Sequence, residues 1–132
     1  MKVLFVCAGN AHRSPLAEAL LKKLRPDLEV DSAGMHISIP ISDDVKRYLT
    51  EKGGKQHLKT VPESLDSKEL DKYDVIVAME SRHRNAVLHQ CPECASKIIV
   101  WSIKDPYFLQ PERSEEIYRK ITEKVTELAR SL

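Results

Sequence analysis

The chain has 132 residues, 31% of them charged, and a formal net charge of +1. That length suits one compact domain, 1-132, with its own core. Lys and Arg are scattered among Asp and Glu, so no basic field invites nucleic acid or an anionic membrane, and no apolar run reaches bilayer-spanning length. Three cysteines make no secreted disulfide framework, and the apolar run over 3–8 lacks the length and cleavage site of a signal peptide. A cytoplasmic monomer is the expectation.

In chain order, a strand is predicted over 2–6, ending at Cys7. Gly9 and Asn10 follow, the two residue types most tolerant of left-handed backbone. Ser14 reads as a helix N-cap with Pro15 at the first helical position, and Leu16, Leu20, Leu21 and Leu24 recur at helical spacing. A short strand over 28–31 comes next. A helix then opens at Ser42, with Asp43 and Asp44 in its first turn, and closes at Gly53-Gly54. The stretch 55–64 is irregular, and a short helix is expected over 67–72. The near-continuous apolar run 75–79 reads as a strand buried on both faces. Ser81 is expected to cap a helix running to about 90, followed by a strand over 97–101 and a long helix over 112–130. In that last helix Ile117, Ile121, Val125 and Leu128 form one core-facing stripe.

Strands alternating with helices argue for an α/β fold, a small doubly wound four-stranded parallel sheet with helices on both faces. Ligands in such sheets sit beyond the carboxyl ends of the strands. Cys7 ends the first strand and Asp105 lies just past the fourth, so topology puts them on one edge.

The loop after Cys7 carries the chemistry. Amides curling into a helix N-terminus make an oxyanion-binding nest, and such a field favours thiolate over thiol. Arg13 offers a planar cationic fork that matches phosphate geometry. The implied reaction is attack by sulfur on a phosphate monoester. Bare Cys-x5-Arg occurs often by chance, so the surrounding Gly9, Asn10, Ser14 and Pro15 carry the weight. The alkoxide or phenoxide that leaves needs a proton from an acid not adjacent to the thiolate in sequence. Asp105 fits, with Pro106 stiffening its loop, although a lone Asp-Pro is ordinarily a turn.

Val6-Cys7-x-Gly9-Asn10-x-x-Arg13-Ser14-Pro15, with Ala17-Glu18-Ala19 behind it, resembles the phosphate loop of low molecular weight protein tyrosine phosphatases. Val30-Asp31-Ser32-Ala33-Gly34 is similar to the family's second strand and turn, 74–79 to its third strand, and Asp105-Pro106-Tyr107 to its acid loop. The resemblance implies a protein tyrosine phosphatase that hydrolyses phosphotyrosine or small aryl phosphates through a phosphocysteine, with no cofactor and no metal. It implies Cys7 as nucleophile, Arg13 as phosphate ligand, and Asp105 as general acid and then base. Phosphate would lie in the loop of Ala8, Gly9, Asn10, Ala11, His12 and Arg13. Asn10 and Ser14 would support the loop, the serine hydroxyl donating to sulfur, with Ser32 and His57 as candidate partners of Asn10. Tyr107 and Phe108 would wall the pocket.

The chain departs from that family pattern in three places. His12 stands where many members carry a second cysteine able to protect the first as a disulfide. Ala11 is small where tyrosine-specific members have a larger apolar residue and phosphoarginine-specific ones a threonine, which leaves a protein arginine phosphatase as an alternative. The segment 35–40 is short and lacks the rim tryptophan of some relatives. Cys91 and Cys94 are expected to be inert thiols, with a disulfide or half of a zinc site completed by His83 and His89 as alternatives. A thiol-dependent arsenate reductase would need a cysteine relay starting at the end of the third strand, where Met79 stands. A phosphocysteine carrier would have no use for Asp105 and Arg13.

Overall fold

Val3, Leu4, Phe5 and Val6 are fully buried, and alternation along the strand sends them to two different cores. In the computed structural model they belong to β1 (Lys2–Cys7). The structure describes every residue except Phe108, and of Pro111 the backbone alone. Val3, Phe5 and Cys7 pack under α1 (Arg13–Leu24) and α4 (Pro111–Ser131). Leu4 and Val6 pack on the other face, with Val87 of α3 (Ser81–Gln90) and the Cys91–Cys94 turn. Burial of each large apolar side chain stabilises by about 1.5–3 kcal/mol, so β1, apolar on both faces, can only be a central strand.

The sheet order is β2-β1-β3-β4, all parallel, with β2 at Glu29–Gly34, β3 at Val75–Ala78 and β4 at Ile98–Val100. The expected doubly wound sheet is thus present, and chain order reverses at β1, whose carboxyl end is Cys7. In α4 the predicted stripe is seated as expected: Ile121, Val125 and Leu128 are buried and Ile117 packs against the same core. No helix among the described residues is long and apolar enough to cross a membrane.

α2 (Asp43–Lys52) begins and ends as its sequence predicts. The Ser42 side chain accepts from the Asp44 amide, and Gly53 and Gly54 take φ of 90° and 110°, a left-handed exit that favours glycine. Three local expectations are corrected. Ser14 does not cap α1; the cap position is His12, without a side-chain bond, because the Ser14 hydroxyl is engaged beneath the loop. Ser81 does not cap α3 either: Glu80 does, in a reciprocal box in which its carboxylate accepts from the His83 amide and His83 Nδ1 accepts from the Glu80 amide. The helix expected over 67–72 is two single 3-10 turns, Leu65–Ser67 and Leu70–Lys72. Lys68 between them is extended, its ammonium turned inward to Asp31 at 2.6 Å and Glu63 at 2.8 Å.

Cys91 and Cys94 form a disulfide with Cα atoms 5.5 Å apart, which corrects both the inert-thiol and the zinc readings. The 3-10 turn after α3 closes with the Cys94 amide on the Cys91 carbonyl and brings the two side chains together.

Candidate active site

Cys7 is buried and is the free one of the three cysteines. The backbone leaves β1 there and turns through residues 8–12 into α1. Asn10 sits in this turn at φ 52°, and it is the shape of its hydrogen bonding that holds it. Its Nδ2 donates to Ser14 Oγ and Ser32 Oγ, both at 2.9 Å. Its Oδ1 accepts from Lys59 Nζ at 2.9 Å and from the Glu63 amide at 2.8 Å. Two donors and two acceptor sites are all used, so the buried amide is fully satisfied.

That accounting corrects one expectation. Ser32 does partner Asn10, but His57 does not; Lys59 occupies the remaining place. The Lys59 ammonium, on a nearly buried side chain, also donates to the Ser32 carbonyl at 2.8 Å and pairs with Glu63 at 2.8 Å. Buried Glu18 lies 3.8 Å from it and accepts from Ser32 Oγ at 2.5 Å. Breaking such a buried set by removing one partner costs far more than the set contributes as a whole.

Ser14 Oγ lies 2.9 Å from Cys7 Sγ. That oxygen also accepts from Asn10 and lies 3.5 Å from the Ala33 carbonyl, and facing a thiolate, which can only accept, its proton would go to the sulfur.

The loop rests directly on the end of β2, where Gly34 pairs with Cys7. A Cβ at Gly34 would fall 2.6 Å from the Asn10 nitrogen and 2.7 Å from the Gly9 carbonyl carbon, backbone that cannot swing aside. Overpacking of this kind costs about 1–3 kcal/mol, here levied on the loop itself. Gly34→Ala should therefore weaken inhibition by inorganic phosphate by roughly 10-fold, while circular dichroism still reports the folded sheet. Unchanged phosphate affinity would show that the contact does not shape the loop.

Arg13 is 1% exposed. Its Nη1 donates to the Ile103 carbonyl at 2.7 Å and to the Glu80 carboxylate, and its Nη2 lies 3.6 Å from Asp105 Oδ2. The fork is thus fixed on one edge by acceptors from two neighbouring strand ends. Burial pushes the Glu80 carboxyl up, but the hydrogen bond and charge of Arg13, with Arg82 beyond, outweigh it and hold Glu80 below its ordinary value. His83, fully buried, is pushed down to about 4 by burial and by Arg13. It is therefore neutral, with Nδ1 accepting and its proton on Nε2.

Asp105 arrives along an extended stretch after β4. Ser102 at φ 57° turns the chain, and the Ile103 amide donates to the Met79 carbonyl at 2.8 Å. The Tyr107 amide donates to Asp105 Oδ1 at 3.0 Å. Cys7, Ala8, Gly9, Ala11, His12 and Arg13 line a cavity of about 290 Å³. Asp105, Tyr107, His36, Ser38 and Ile39 complete its wall. Asn10 and Ser14 lie beneath it, and Phe108 falls outside the described residues. His12 is half-buried at the rim, its ring edge-to-face with Tyr107 at 6.2 Å between centroids. Burial lowers the His12 imidazole, against Asp105 and Asp44, which raise it.

Glu80, His83, Ile103, Lys59 and Glu18 were not singled out from the sequence as parts of this site. Glu80 had a usable signal: it follows β3, whose carboxyl end adjoins that of β1. Cys91 and Cys94 pack with Leu4, Val6 and Ile76, at the far end of α3 from the cavity, so no cysteine relay adjoins Cys7. No cluster of three or more metal-ligating side chains occurs among the described residues.

The sequence profile of the low molecular weight phosphotyrosine protein phosphatases matches residues 2–132. The chain belongs to that family. Among similar proteins, the low molecular weight protein-tyrosine-phosphatase Wzb of Salmonella typhi is 30% identical over 139 residues, spanning 99% of this chain and 93% of Wzb. Wzb of Vibrio vulnificus, solved with benzylphosphonate, is 29% identical with a TM-score of 0.89, covering 99% of this chain and 98% of that one. The YwlE arginine phosphatase of Geobacillus stearothermophilus is 28% identical with a TM-score of 0.84, covering 98% and 91%.

Proposed function

We propose that this phosphatase hydrolyses phosphotyrosine in proteins, and small aryl phosphates, through a phosphocysteine on Cys7. One observation carries the reading: a buried cysteine, its sulfur 2.9 Å from a serine hydroxyl oxygen, lines a cavity together with a fixed guanidinium and a partly exposed carboxyl group. Cys7 Sγ attacks phosphorus while the phosphoryl oxygens lie against the guanidinium of Arg13 and the amides of the loop from Ala8 to Arg13. The P–O bond to the phenol breaks, and Asp105 gives its proton to the leaving oxygen. Asp105, now a carboxylate, takes a proton from water; the hydroxide attacks phosphorus, the S–P bond breaks, and phosphate leaves. Ser14 donates to the sulfur as it departs as thiolate.

An aryl group is favoured because the cavity wall offers the Tyr107 ring, the His12 and His36 imidazoles and Ile39, with Asp105 the one carboxylate among the described lining residues. A guanidinium would call for more acceptors. Phosphoarginine is the second reading, favoured by the small Ala11 in the wall and by the named activity of the YwlE neighbour. The 1–132 chain is further proposed to be a single-domain monomer of the cytoplasm. Phosphate release from matched peptides bearing phosphotyrosine, phosphoserine or phosphoarginine tests the substrate choice. The expected kcat/KM is highest for phosphotyrosine, by at least about 10-fold over the other two. Preference for phosphoarginine would replace the first reading with the second, and turnover of none would remove both.

A further inference from the structure

We infer that the side chain of His12, as distinct from its amide, is a positioning residue that sets where Asp105 stands, acting through Tyr107. This inference rests on Asp105 being the general acid. The phosphate loop and the acid loop come from opposite ends of the chain, and for proton transfer their reacting groups must agree to within a hydrogen-bond length. The acid loop is fixed firmly up to Ile103, whose amide and carbonyl are bonded to Met79 and Arg13. Beyond that point the buried Pro106 is held through its carbonyl, which accepts from the Leu109 amide at 3.0 Å and lies 3.5 Å from the Ser114 hydroxyl, while the Asp105 carboxylate stands 3.6 Å from Arg13, longer than a hydrogen bond. It is tied locally instead, by the Tyr107 amide on its own Oδ1.

Whatever holds Tyr107 therefore holds the carboxylate. His12 meets the Tyr107 ring edge-to-face at 6.2 Å, inside the range for attractive aromatic pairs. Its own position is fixed, because it is the N-cap residue of α1, directly before the anchored Arg13. The Ala11 carbonyl next to it accepts from the Ser42 amide at 2.9 Å, which braces this point of the loop against α2. His12, Asp105 and Tyr107 all line the same cavity. Burial holds the imidazole below its ordinary value, against the pull of Asp105 and Asp44, which weights it toward the uncharged ring.

The test is turnover of a series of aryl phosphates spanning leaving groups from nitrophenol to tyrosine, for His12→Ala, His12→Phe, Tyr107→Ala and the double alanine variant. His12→Ala should lose on the order of 10-fold in kcat/KM with phosphotyrosine, a part of the 10²–10⁴-fold that general acid catalysis supplies, and little with nitrophenyl phosphate. The inhibition constant of inorganic phosphate should hold, because the amide remains. His12→Phe should recover most of the loss, and the double variant should be no worse than the worse single one. An even loss across the series with weakened phosphate inhibition would show that His12 merely shapes the phosphate loop and would overturn the inference. So would no loss at all, or additive losses in the double variant. Asp105→Asn measured alongside separates the two levels: a flat leaving-group dependence there removes the acid role itself, whereas a steep one there with a flat one for His12→Ala removes only the positioning role.

Discussion

Cys7→Ser is expected to abolish steady-state turnover of aryl phosphates, by more than about 10³-fold, while phosphate and vanadate still bind. The change swaps sulfur for oxygen inside a site that otherwise keeps its form. The loop owes that form to Asn10, Ser32, Lys59 and Gly34, none of which touches the sulfur through a bond it needs. Arg13 likewise stays anchored to Glu80 and Ile103. A hydroxyl at neutral pH is a far weaker nucleophile than a thiolate, and the side chain bonded to this position is the Ser14 hydroxyl, which is no general base. Binding should therefore survive and chemistry should not. Inhibition constants for phosphate measured by displacement of a bound dye, beside phosphate release rates, check both halves. A variant retaining more than a thousandth of the rate would mean that the covalent route is not the one used.

Asp105→Asn is expected to lower kcat/KM for phosphotyrosine by about 10²–10⁴-fold, and by much less for nitrophenyl phosphate, whose phenol leaves unprotonated, while kcat, which includes hydrolysis of the phosphocysteine, should fall for both. The amide is nearly isosteric, and its oxygen can still accept from the Tyr107 amide, so the loop keeps its local turn. What is lost is the proton. The carboxylate also lies 3.6 Å from Arg13, so its removal takes away a competitor for the guanidinium, and phosphate should bind as well as before or better. A plot of log kcat/KM against leaving-group pKa should steepen in the variant. Parallel plots for variant and wild type would take Asp105 out of the acid role.

The centre of the site could be read in the sequence because its parts are contiguous. An apolar strand, a cysteine, a glycine-asparagine turn and an arginine all fall within 3–13, and each is of a type the geometry requires. Asp105 could be read because parallel topology places every strand's carboxyl end on one edge. The supporting shell could not, for reasons that differ by residue. Glu80 looks like an ordinary acid after a strand until the order β2-β1-β3-β4 sets its strand end beside the loop. Lys59 lies in an irregular segment without periodicity, so nothing marks its ammonium as inward, and His57 two residues earlier is the more familiar partner for an amide. Ser14 has the composition of a helix cap, and only the position of the sulfur diverts its hydroxyl from that use. Cys91 and Cys94 carry the spacing of several chemistries, and the 3-10 turn between them decides among these.

The central claim is that phosphate passes through a covalent bond to Cys7. Mixing the enzyme with excess nitrophenyl phosphate, quenching in acid within the first turnovers and locating phosphorus by mass spectrometry tests it most directly. The expected result is a phosphoryl group on the peptide containing Cys7, formed as fast as the first equivalent of nitrophenol appears. Multiple turnovers with no phosphorus on that peptide, or with phosphorus on another residue, would contradict it.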